Sequence, residues 1–158
     1  MEKEVRRFCE NCGKEQKAII KEIEKEFVVK DETIKARITV CECRECHKEI
    51  WEEVLEKENE AKVFSLYRKK VGLLSSEQIK AIREGYGLSQ KMFSILLGFG
   101  AKTITRYENN SVQDESHNLL MKLMNDPVCF LKVWEERKHV FSTREISLIQ
   151  EKVFKNAQ

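Results

Sequence analysis

The stretch Gln78–Asn110, QIKAIREGYGLSQKMFSILLGFGAKTITRYENN, decides how the second half of the chain folds. Its apolar residues recur at helical spacing in three short bursts, with glycines between them. Ser75, with Gln78 three residues later, predicts a capped helix that carries Ile79, Ile82 and Arg83 and stops near Gly85-Tyr86-Gly87. Ser89 caps a short helix, QKMFSILL, that ends at Gly98, and Gly100-Ala101 opens a third, KTITRYEN. A short helix, a glycine-containing turn and a second short helix match the helix-turn-helix plan. Phe93, Leu96 and Leu97 with Ile104 and Tyr107 are then the apolar seam. That leaves Lys102, Thr103, Thr105 and Arg106 facing outward where the second helix starts, the end that enters a DNA major groove. Arg or Lys there can bond guanine O6 and N7, and a Thr methyl can meet a thymine methyl. Ser89, Gln90 and Lys91 stand at the preceding helix's N-terminus, where free backbone N–H groups favour a phosphate.

Working outward, Asp114 or Ser116 caps a further helix with Leu119, Leu120, Leu123 and Met124, closed by Asn125-Asp126-Pro127. Residues 128–158 read as two more amphipathic helices divided near Ser142. Upstream, Glu52–Lys70 has helical spacing and Gly72 breaks it. Further back the period changes. Ile34, Ala36, Ile38 and Val40 alternate with Thr33, Lys35, Arg37 and Thr39, as in a half-buried strand. Phe27, Val28 and Val29 precede a Lys30-Asp31-Glu32 turn, so an antiparallel hairpin is expected. Ala18–Glu26 stays ambiguous, because KEIEKE also suits a helix.

Six cysteines require an explanation, and four of them form two CxxC pairs thirty residues apart, Cys9-x2-Cys12 and Cys43-x2-Cys46. Each pair can fold into a knuckle that points two sulfurs at one ion about 2.3 Å away, which suits tetrahedral zinc. Gly13 fits the positive φ such a knuckle often needs; His47 holds the matching place in the second. The interval exceeds the usual fifteen to twenty or so, but a hairpin returns its ends to each other. Cys41 is a competing ligand, and Cys43 is preferred because it repeats the two-residue gap. Cys129 is expected to pack in the tail, and His47, His117 and His139 do not cluster. Four protein ligands make one structural Zn2+ per chain, since a catalytic ion needs an open position. With no paired carboxylates in context, no nucleophile–base pair and no phosphate loop, enzymatic activity is disfavoured.

Composition agrees with a folded chain: 158 residues, 41% apolar and 35% charged. No apolar run approaches a membrane span, and MEKEVRRFCENC lacks the apolar core of a secretory signal. A cytoplasmic location is expected, where thiols stay reduced. The formal charge of +2 falls to zero once four thiolates and a divalent ion are counted, so net charge alone does not suggest nucleic acid.

The ordered combination of the two CxxC pairs, a following helix and LLSSEQIKAIREGYGLSQKMFSILLGFGAKTITRYENN resembles the MqsA-like (YgiT-type) zinc-finger/helix-turn-helix antitoxins over roughly residues 8–126. The resemblance implies a type II antitoxin that represses its own operon as a homodimer on a palindromic double-stranded DNA operator. Its zinc-bearing domain would contact an mRNA-cleaving toxin. The family's base-reading positions fall on Lys102 and Arg106; Lys102 stands where a relative has asparagine, which alters the expected base preference. The proline many relatives carry before the fourth helix is replaced by Gln113-Asp114-Glu115, and the tail beyond Pro127 exceeds the family's short form.

The expectation is therefore an α+β chain: a zinc ribbon with its following helix over 1–70, an all-α helix-turn-helix domain over 71–127, and a helical extension over 128–158. Two other readings stay open. One is a stand-alone regulator of phage or mobile-element type without a toxin; the other is a zinc-stabilised protein-interaction adaptor.

Overall fold

The computed structural model describes residues 2–155, with side chains described as far as Val153. The class is α+β: four strands form one antiparallel sheet, and seven α-helices follow among the described residues. The chain divides into two compact units, Met1–Tyr67 and Arg68–Gln158.

The first unit holds the sheet, in the order β1 (Lys3–Cys9), β2 (Lys14–Val29), β3 (Glu32–Cys43) and β4 (Glu49–Ile50). Along β3 the alternation read in the sequence is also the burial pattern. Ile34, Ala36, Ile38 and Val40 are buried, while Thr33, Lys35 and Arg37 are exposed. KEIEKE is strand, inside a β2 of 16 residues. Cross-strand chemistry accounts for this choice, because register sets Glu24 opposite Arg37 and Glu26 opposite Lys35. The latter pair closes to 3.0 Å. Val29 pairs with Glu32 across the two-residue turn Lys30-Asp31, where Lys30 takes a φ of +52°. The first helix, α1 (Glu53–Val71), begins in this unit and presents Asn59, Val63 and Tyr67 as a buried stripe at spacing four. β4 pairs only with Cys41 and Glu42, so the backbone of Thr39 lacks a strand partner on that edge. Asn59 supplies one: its Oδ1 accepts from the Thr39 N–H at 2.9 Å, and its Nδ2 donates to the Thr39 carbonyl at 2.8 Å.

The second unit contains α2 (Ser76–Gly85), α3 (Gln90–Leu96), α4 (Thr103–Glu108), α5 (Glu115–Leu123), α6 (Pro127–Arg137) and α7 (Thr143–Lys155). Starts follow side-chain caps. Ser75 and Gln78 make a reciprocal capping box on α2, Ser89 accepts from the Met92 N–H, and Asp114 rather than Ser116 caps α5. Ser142 and Glu145 make the same reciprocal contacts ahead of α7. The predicted seam is present: Phe93, Leu96, Leu97, Ile104 and Tyr107 are all buried in one core. Residues beyond Pro127 enter that same core through Phe130, Trp134, Phe141 and Ile149. Buried polar groups link the turns around it. Arg68 Nε donates to Gln113 Oε1 at 3.1 Å, Gln113 Nε2 donates to the Leu74 carbonyl at 2.7 Å, and the Leu74 N–H donates to Asn118 Oδ1 at 2.9 Å.

Division at Tyr67 rather than at residue 70 hands Arg68, Lys69 and Lys70 to the second unit. Residues 1–67 then carry 17 acidic against 14 basic side chains, and residues 68–158 carry 15 basic against 10 acidic. The near-neutral total therefore conceals two units of opposite sign. No helix among the described residues is long and apolar enough to cross a membrane.

Candidate functional site

The four cysteines come together because the strands return them. Cys9 ends β1 and Cys43 ends β3, both strands flanking β2, and Cys12 and Cys46 lie in the turns that follow. In each turn the residue after the second cysteine takes a left-handed conformation and donates its N–H to the first cysteine's carbonyl. Gly13 does so with φ +66° at 2.8 Å, and His47 with φ +56° at 3.0 Å. A glycine adopts that conformation freely; His47 holds it against the usual steric penalty of a side chain.

All four sulfurs lie within 4.8 Å of one another. Cys9 and Cys46 are 3.6 Å apart, and Cys12 and Cys43 are 4.0 Å apart. A tetrahedron with metal–sulfur bonds of about 2.3 Å has edges near 3.8 Å, so the spacing fits a single tetrahedral ion. Thiols this close share protons when no cation lies between them. The Lys48 backbone N–H, bonded to the Cys46 sulfur, brings that thiol down to about 6. Hydrogen bonding to Cys46 pushes Cys12 up to about 12. Cys41 stands outside the group. It is buried where β3 meets β4, opposite Ile50, and burial raises its thiol above the ordinary range. His47 is exposed, with Nδ1 3.4 Å from Glu42 Oε1.

In the second unit, Lys102, the N-cap of α4, and Arg106, in its last turn, are exposed. Thr103 is not. The sequence placed it on the outward face, yet it is buried, because its first-turn position faces back toward Gly100. Its N–H donates to the Gly100 carbonyl at 2.9 Å. Thr105 is half-buried and donates its hydroxyl to Gln90 Oε1 at 3.0 Å. Ser89 and Lys91 are exposed beside Gln90. Lys91 has an acidic neighbour on α7, Glu145. That carboxyl is held below its ordinary range first by Ser142 and to a lesser degree by Lys91.

Two further groups belong to this surface, and the sequence did not mark either as special. Arg83 of α2 and Glu108 of α4 form a buried ion pair, with Arg83 Nε 2.6 Å from Glu108 Oε1 and Nη2 2.9 Å from Oε2. Glu108, hydrogen-bonded to Arg83, holds the guanidinium above its ordinary pKa. Glu108 Oε2 also accepts from Gln90 Nε2 at 2.7 Å, so one carboxylate ties α2, α3 and α4 together. The pairing left no trace in sequence, since charged residues at those helical positions read as solvated.

No family model matches the chain, and no curated protein does.

Proposed function

We propose that the chain is a DNA-binding transcription regulator that represses its own operon, built on a zinc-stabilised N-terminal unit, and that it serves as the antitoxin of an MqsA-like pair. The observation that carries the DNA-binding part is the exposed face of α4. Lys102 and Arg106 stand one turn apart on it, with Thr105 between them, on a helix pinned to α2 and α3 by the Arg83–Glu108 pair. The excess of basic side chains in residues 68–158 supports the same reading. In this reading α3 and α4 are a helix-turn-helix. Arg106 reads guanine, Lys102 a neighbouring base, and Ser89 with Lys91 contacts phosphate. A homodimer on a palindromic site supplies the length that one short helix lacks. The ion is zinc, with all four positions filled by thiolates, so its role is structural.

Arg106→Ala is expected to weaken binding to the upstream operator by roughly ten- to hundredfold per half-site and to relax one position of each half-site. Lys91→Ala is expected to lower affinity evenly across sequences and reduce the salt slope by about one contact per subunit, or less where Glu145 already offsets the charge. Titrations at two salt concentrations distinguish them. Equal specificity of Arg106→Ala and wild type would count against the proposal.

The antitoxin part rests on the first unit's surface. Phe8 is 54% exposed and Trp51 70% exposed, and both line a groove of about 480 Å³ with Glu10, Lys48, Glu49 and Ile50. Aromatic groups exposed on an acidic unit suit a cationic protein partner. Trp51→Ala is expected to cut affinity for the product of an adjacent toxin-like reading frame at least tenfold or so, as truncation of an aromatic anchor does. Unchanged affinity in calorimetry would favour the stand-alone regulator.

A further inference from the structure

Thr105 has one hydroxyl proton and two lone pairs, and which of these faces solvent is settled by its neighbours. Glu108, paired with the Arg83 guanidinium on both oxygens, is a carboxylate and offers only acceptors. The Gln90 group 2.7 Å from Glu108 Oε2 must then be its NH2, because an amide oxygen there would face another acceptor. That orientation turns Gln90 Oε1 toward Thr105. Oε1 cannot donate, so the Thr105 hydroxyl must, and its single proton is spent inside the protein. What remains for a ligand is a pair of acceptor sites and a methyl group.

We infer that Thr105 is a specificity-determining residue that selects a base bearing an exocyclic amino group, adenine or cytosine, and that Gln90 and Glu108 are positioning residues that impose this by fixing the direction of its hydroxyl. In the major groove adenine N6 and cytosine N4 carry donors, whereas guanine O6 and thymine O4 are acceptors. A hydroxyl free to rotate meets either kind. A hydroxyl already committed to Gln90 meets only the first. The inference rests on the proposed DNA-binding reading and goes beyond it, since Arg106 and Lys102 are donors that favour guanine. The half-site should then combine a guanine with an adenine or cytosine close by.

The experiment is selection of bound duplexes from a random-sequence pool by the full-length chain, followed by sequencing. It is run for wild type, Thr105→Val, Thr105→Ser and Gln90→Met. Wild type should show one position per half-site at which adenine or cytosine is preferred by roughly tenfold. Thr105→Val keeps the shape and loses the hydroxyl, and it should lose that preference. Gln90→Met removes the acceptor inside the protein and should admit guanine and thymine at the same position. Thr105→Ser keeps the hydroxyl and its bond to Gln90 and loses the methyl, and it should keep the preference, a result that packing of the methyl against the base would not give. Helical circular dichroism is compared first, and the contrast between Thr105→Val and Thr105→Ser decides the matter if Gln90→Met is unfolded. Retention of the preference in Thr105→Val, its loss in a folded Thr105→Ser, or a folded Gln90→Met that still excludes guanine and thymine overturns the inference. If wild type enriches no sequence at all, the DNA-binding proposal falls instead, and the two failures are told apart.

Discussion

Removing the metal with a strong chelator is expected to unfold residues 1–67 and to leave the helices of residues 68–158 in place. The first unit has little apolar mass of its own. Apart from Cys9, Cys41 and Cys43, its buried apolar set comprises Ala18, Ile19, Ile34, Ala36, Ile38 and Val40 from the sheet with Val63 and Tyr67 from α1, and two of these are alanines. Cys9 and Cys43 are buried beside their partners, so loss of the ion would leave thiolates facing one another or force them to take up protons. Structural zinc contributes on the order of 10–16 kcal/mol in small domains, as large as the whole stability of an ordinary one. The second unit has a separate core containing Phe93, Leu96, Ile104 and Trp134 and does not share this dependence. Metal analysis should return about one zinc per chain, the figure for a four-cysteine structural site. Cys43→Ser should reproduce the chelator's effect, whereas Cys41→Ser should keep the metal. Loss of metal from Cys41→Ser alone, or a chelated protein with an unchanged β-sheet spectrum, would contradict the assignment.

Trp134→Ala should have the other large effect. Trp134 is 2% exposed and stacks on Phe141, with ring centroids 5.8 Å apart. It lies in the core that holds α4. Replacing a fully buried tryptophan by alanine costs about 3–5 kcal/mol, a large share of the roughly 5–15 kcal/mol that stabilises a domain. Operator binding should weaken together with stability, although Trp134 is remote in sequence from every proposed DNA contact. Urea unfolding followed at 222 nm measures the loss, with the exposed Val128→Ala as the control. A loss below about 1 kcal/mol would mean that the cavity collapses and the tail only decorates the unit.

How much of this was legible depended on whether a residue's environment is local. Capping by Ser75, Ser89 and Asp114 was readable because the partner N–H lies three residues away. The buried face of β3 was readable because period two is a property of the strand itself. The clustering of the four cysteines was readable because each knuckle is local and a hairpin returns its ends. KEIEKE was not, since its strand state depends on Arg37 and Lys35 across the sheet. Thr103 was misplaced because helical spacing gives a direction only after the first turn has been fixed, and here Gly100 fixes it. Periodicity showed that residues 128–158 hold amphipathic helices but carried no information on which core their stripes enter. The Arg83–Glu108–Gln90–Thr105 chain lies furthest from legibility, with four polar residues on three helices meaningful only once packed.

The bonds among Arg68, Leu74, Gln113 and Asn118 bear on a different question, that of alternatives. An apolar seam alone tolerates sliding: leucines and methionines displaced by one helical step still find leucines and methionines, at little cost. Gln113 does not tolerate it. Its amide satisfies the Leu74 carbonyl at one end and the Arg68 guanidinium at the other, and a one-step slip strands both in a dry interior. The competing packings of these short helices are thereby raised in energy while the native one is left as it was. That is a property of the gap between arrangements, and it lets a bundle of small helices settle into one answer.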